Sequence, residues 1–77
     1  MEFEKLKDII AGQLGISVDE ITMDSSFEND LGADSLDLVE IVMGIEEVFG
    51  FEVAEDDVED IDTVGKAVEY IKAHEQE

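Results

Sequence analysis

One serine in this chain has neighbours that could give it chemistry. Ser35 lies in the run Leu31-Gly32-Ala33-Asp34-Ser35-Leu36-Asp37-Leu38-Val39-Glu40. A pair of small residues precedes an acid and a hydroxyl, and an apolar periodic segment begins at Leu36. Asp or Ser just before such a segment signals a helix start. Ser35 is therefore predicted at the positive end of a helix, where free backbone N–H groups and the macrodipole favour an anion. The sequence has no basic cluster to hold a free phosphate by charge. The pattern fits a phosphate bonded covalently to Ser35 and tolerated by the helix end. Asp34 and Asp37 flank the serine as predicted caps and dipole partners, and as contacts for a basic enzyme surface. Gly32 and Ala33 leave the serine open to close approach, and the same small residues suit a turn at the helix entry.

Other chemistry at Ser35 lacks partners. A nucleophilic serine needs a base and a group that orients the base. The chain has one histidine, His74, predicted to be a solvated residue near the C-terminus, and no cysteine. An enzyme is not expected. A plain helix cap is the other reading of Asp34-Ser35. The run Asp56-Asp57-Val58-Glu59-Asp60-Ile61-Asp62 suggests a calcium loop, but the register fails: with Gly65 at the obligatory glycine, Val64 and Ile71 occupy liganding positions. It reads as a solvated acidic edge that collects Mg²⁺ or Ca²⁺ loosely, with no dedicated metal site.

The elements that must position Ser35 come from a short chain. Seventy-seven residues make one domain, 1–77, close to the lower limit for a core without staples. Twenty-three acidic residues against four lysines give a net charge of −19. That charge disfavours nucleic acid and anionic membranes and favours basic protein surfaces. Disorder is countered by 44% apolar residues in helical spacing. Met1-Glu2-Phe3-Glu4-Lys5 lacks the basic start and apolar run of a signal peptide. The longest apolar stretch, Ile41 to Ile45, is five residues counting Gly44, too short for stable membrane insertion. A cytoplasmic monomer is expected.

Periodicity predicts a helix over Phe3 to Leu14 with Phe3, Leu6, Ile9, Ile10 and Leu14 on one face, closed by Gly15. Ser17-Val18-Asp19-Glu20 has capping-box spacing for a single turn. Residues 22–33 read as a polar loop anchored inward by Met23, Phe27 and Leu31. A second helix is expected from Ser35 to Phe49 with Gly50 after it, a short turn near Asp56 to Glu59, and a last helix over Thr63 to Ala73 burying Val64, Ala67, Val68 and Ile71. No segment alternates as a strand does. The fold class is all-α, a small antiparallel bundle of three main helices and one short one.

The second helix carries two apolar faces. On a wheel of about 100° per residue, Leu38, Ile41, Ile45, Val48 and Phe49 form the core face. Leu36, Val39 and Met43 fall on the opposite side, bordered by Glu40 and Glu47 on one edge and Glu46 on the other. An apolar strip rimmed by acids suits a partner with an apolar patch rimmed by Lys or Arg. Met43, flexible and polarizable, suits a surface that meets several partners.

At these residues the chain resembles the bacterial acyl carrier proteins of type II fatty-acid synthesis. The resemblance rests on Asp30-Leu31-Gly32-Ala33-Asp34-Ser35-Leu36-Asp37, continues through Val39-Glu40 to Met43 and Glu46-Glu47, and extends to length, acidity and element order. It implies a 4′-phosphopantetheine arm on Ser35 through a phosphodiester, with Asp34 and Leu36 beside it. Acyl chains would ride as thioesters on the arm's thiol, so the reactive group arrives with the cofactor. It implies docking through Leu36, Asp37, Val39, Glu40, Met43, Glu46 and Glu47. The implied partners are basic-surfaced: a phosphopantetheinyl transferase, acyl transferases and fatty-acid elongation enzymes. Related scaffolds carry polyketide, aminoacyl or D-alanyl groups by the same attachment. A reading from another class is an acidic interaction or divalent-cation-buffering protein without a prosthetic group. Gly44, inside the second helix, serves either close helix packing or room for a sequestered acyl chain. Many relatives have proline where Ala54 stands. Phe51 either covers the core or adds to the docking surface.

Overall fold

The computed structural model describes residues 2–74. Four α-helices follow one another: α1 (Glu2–Leu14), α2 (Ser35–Phe49), α3 (Glu55–Val58) and α4 (Val64–His74), with a 3-10 turn at Val18–Glu20. The fold is a small all-α bundle of three long helices and a short one. Each start and stop lies within one residue of its expected place. The Ser17–Glu20 capping box forms as its spacing requires. Thr63 Oγ1 accepts from the Lys66 N–H at 3.2 Å, which explains why α4 begins after it. No helix among the described residues is long and apolar enough to cross a membrane.

The core follows the predicted faces. Leu6 and Ile10 of α1, Ile41 and Ile45 of α2, and Val64, Ala67, Val68 and Ile71 of α4 are buried together. Ile21, Phe27, Ala33 and Ile61 complete the cluster from the connections. α1 packs on both α2 and α4. A Cβ placed on Gly44 would stand 2.9 Å from Cγ2 of Ile9. The missing side chain is thus used by close α1–α2 packing.

Two packing expectations are corrected. Val48, assigned to the core face, is 50% exposed, and Val42, not assigned to it, is buried. Val48 lies seven residues after the fully buried Ile41, hence at nearly the same angle on the wheel. The direction agrees, but no described residue covers that side of the last turn of α2. Met23, expected to tuck inward, is 41% exposed. It holds its loop by its backbone instead, its carbonyl accepting from the Gly65 N–H at 2.8 Å. Phe27 is buried and Leu31 half-buried, as expected.

Candidate functional site

The site is built from the loop that precedes α2. That loop reads as polar in sequence, yet its backbone is tied down along its length. Ser26 and Thr63 form an antiparallel bridge. Around it, the Phe27 N–H donates to the Asp62 carbonyl at 3.1 Å and the Val64 N–H to the Ser25 carbonyl at 3.0 Å. Asp30 Oδ2 accepts from the Ser26 N–H at 2.7 Å, and the Ala33 N–H donates to the Phe27 carbonyl at 2.7 Å. Phe27, 1% exposed, pins the loop to the core.

Gly32 then turns the chain with φ +72°, a conformation that a side chain would strain. Ala33 has its methyl in the core. Its smallness thus serves the helix entry.

Asp34 is the N-cap of α2. Its Oδ1 accepts from the Asp37 N–H at 2.9 Å, and Asp37 Oδ2 accepts in return from the Asp34 N–H at 3.4 Å. The box is the acidic equivalent of the Ser-x-x-Glu motif. Gln13 of α1 also donates to Asp37 Oδ1 at 3.5 Å, linking the cap to the bundle.

Ser35 is the first residue of α2 and is exposed. Its hydroxyl bonds no protein group, and the N–H groups of Ser35 and Leu36 are among the orphan donors of the helix end. Among the described residues no base bonds the serine hydroxyl. His74 Nδ1–H donates to the Tyr70 carbonyl at 2.9 Å, and the His74 ring stacks on Tyr70 with centroids 4.0 Å apart. His74 is exposed as expected, but it is ordered within α4 by this contact.

A groove of about 480 Å³ adjoins Ser35. Leu38, Val39, Val58 and Ile61 supply apolar lining, while Ser26, Glu28, Asn29, Glu59 and Asp62 supply polar lining. α3 contributes Val58 and so forms part of this wall. A phosphodiester on Ser35 fits these residues on two observations. The hydroxyl is exposed and unengaged beside free N–H donors, and the adjoining groove offers polar and apolar surface to a flexible amide-bearing arm. The chemistry supplied by that arm is a thiol, which this chain lacks.

The second face of α2 is present. Leu36 is 68%, Val39 49% and Met43 53% exposed. Glu40 and Glu47 are exposed beside them. Glu46 differs from those two. It is half-buried, and its Oε2 accepts from the Val53 N–H at 2.9 Å, which fastens the connection between α2 and α3. Phe51 packs against the core and stands 6.1 Å from the Tyr70 ring, and it also lines a shallow groove with Met43. Phe51 thus covers the core, the first of its two expected roles. Sequence reasoning missed Asn29 and Val58 at the rim of the Ser35 groove. Their local sequence carries no signal for it, because the groove is closed by elements distant in the chain. No cluster of three or more acidic or histidine side chains converges as a metal site among the described residues.

An exposed, unengaged serine at a capped helix start, beside a groove and an acid-rimmed apolar strip, fits a carrier that receives a covalent arm. The family comparison agrees: the model for a phosphopantetheine attachment site matches residues 4–71. The chain is 57% identical over 77 residues to an acyl carrier protein of Clostridium acetobutylicum, covering 100% of both. It is 52% identical over 73 residues to an acyl carrier protein of Lactobacillus johnsonii, covering 95% of this chain and 91% of that one. It is 54% identical over 72 residues to one from Clostridium perfringens, covering 94% and 95%. The chain belongs to the acyl carrier protein family. It carries a phosphopantetheine group and is not an enzyme.

Proposed function

We propose that Ser35 Oγ is the attachment atom and that the chain, as a single domain 1–77, presents acyl thioesters to the enzymes of fatty-acid elongation in the cytoplasm as a monomer. The observation that carries the assignment is the exposed Ser35 hydroxyl, unengaged at the capped start of α2 and opening on the adjoining groove. Asp34 and Asp37 hold the helix end so that the serine is presented in one orientation, and the neighbouring N–H groups of Ser35 and Leu36 face the phosphate's charge. Incubation with a phosphopantetheinyl transferase and its donor should add one arm to the wild-type chain and none to Ser35→Ala, read by intact mass. The variant should keep its helical circular dichroism. An arm found on Ser35→Ala overturns the assignment.

The partners meet α2. Leu36, Val39 and Met43 supply the apolar contact, and Asp37, Glu40 and Glu47 supply the rim that attracts basic surfaces. Rim charges act mainly on association rate. Reversing Glu40 and Glu47 to lysine should lower kcat/KM for transfer to an elongation enzyme, and the deficit should shrink as salt rises. Equal kcat/KM for both chains at low salt would sink the docking assignment.

A further inference from the structure

α3 is the least self-sufficient element of the bundle. It has four residues, no side-chain cap at Ala54, and no fully buried residue. A helix this short is not stable by its own hydrogen bonds. Yet Val58 lines the Ser35 groove together with Leu38 and Val39. Something outside α3 must hold that wall. Tyr70, in the well-buried helix α4, donates its hydroxyl proton to Asp57 Oδ2 at 2.7 Å. The Tyr70 ring is itself fixed, stacked on His74 and 6.1 Å from Phe51. Partial burial, followed by the hydrogen bond and charge of Asp57, pushes the phenol above its usual pKa, with the Ala54 N–H opposing. Tyr70 therefore remains a donor across the neutral range.

We infer that Tyr70 is a positioning residue: through its hydrogen bond to Asp57 it holds α3 as the wall of the Ser35 groove and sets how often that groove opens. The link to cargo rests on the acyl-carrier reading, whereas the latch itself does not. Hydrogen–deuterium exchange on the full, unloaded chain tests the latch. Tyr70→Phe deletes the donor and keeps the ring stack, Asp57→Ala deletes the acceptor, and Asp57→Asn keeps an acceptor oxygen. Exchange over residues 53–61 should rise roughly five-fold in the two deletions, the factor for one net hydrogen bond. It should stay near wild type in Asp57→Asn, and α1 should be unaffected in all three. Acceleration spread equally over every helix, no acceleration, or an Asp57→Asn chain that behaves like Asp57→Ala would each overturn the latch. With an octanoyl group on the arm, hydroxylamine should cleave the thioester faster in Tyr70→Phe by a similar factor. Unchanged cleavage beside faster exchange overturns the gating of cargo. If the transferase loads no variant at Ser35, the carrier reading fails, and the exchange result on the unloaded chain still decides the latch.

Discussion

The two walls of the Ser35 groove are made differently. On the α2 side, positioning comes from residues close in sequence to the serine: a bridged loop, a φ +72° turn at Gly32, a methyl in the core at Ala33 and a reciprocal cap at Asp34 and Asp37. On the α3 side, the helix is one turn long and uncapped, and it is tied from a distance by the side chains of Glu46 and Tyr70. A wall held by many hydrogen bonds has few alternative states, because water would have to replace each of them at once. A wall hung on side-chain bonds opens for the loss of one bond. Under the proposed function, the attachment point would be fixed while the opposite face yields.

The largest expected difference between the walls lies in their cores. Phe27→Ala on the α2 side should cost about 3–5 kcal/mol, on the order of the whole margin of so small a domain. Val58→Ala on the α3 side should cost about 1 kcal/mol, since the residue is half-buried. Urea melts of both variants decide it, and equal losses would erase the distinction. Next, Asp34→Ala should remove about 1 kcal/mol and lower Tm by roughly 4–8 °C. A Tm unmoved by that change would mean that the cap does not organise the entry.

The smallest effect concerns the alkaline side. The chain has one tyrosine and no tryptophan, so phenolate absorbance reports Tyr70 alone. Burial first, and then the Asp57 hydrogen bond, raise its pKa above the ordinary phenol value of 10.0, so the folded chain holds the phenolic proton more tightly than the unfolded one. The resulting stability is whole below the unfolded value and drains away as pH rises from there through the folded value. The titration midpoint of the native chain should lie above that of the chain in denaturant. The Tm advantage of wild type over Tyr70→Phe should narrow as pH climbs past 10.0. A native midpoint at or below the denatured one would sever Tyr70 from Asp57.

The α2 side was also the legible one. Ser17, Asp34 and Gly50 mark their boundaries through local chemistry, which sequence spacing carries. Helical faces were readable wherever another element lies opposite, as at Leu6, Ile10, Ile41 and Ile45. Val48 and Val42 escaped because angle on a wheel says nothing of how far a neighbouring helix reaches. Met23 escaped because its loop is held by a carbonyl, and every residue has one. The Tyr70–Asp57 and Glu46–Val53 contacts join segments 13 and 7 residues apart, and no periodicity announces them.

The carboxylate of Glu46 separates it from its neighbours in evolutionary terms. Glu40 and Glu47 are exposed, and under the proposed docking they answer only to a partner's surface. Glu46 answers to the peptide N–H of Val53, an obligation internal to the molecule. A lysine there leaves that donor bare whichever partner is present. Under that proposal the three glutamates of α2 would stand under two kinds of selection. Drift at Glu40 and Glu47 should follow changes in the enzymes they meet, while drift at Glu46 should follow changes in the bend between α2 and α3.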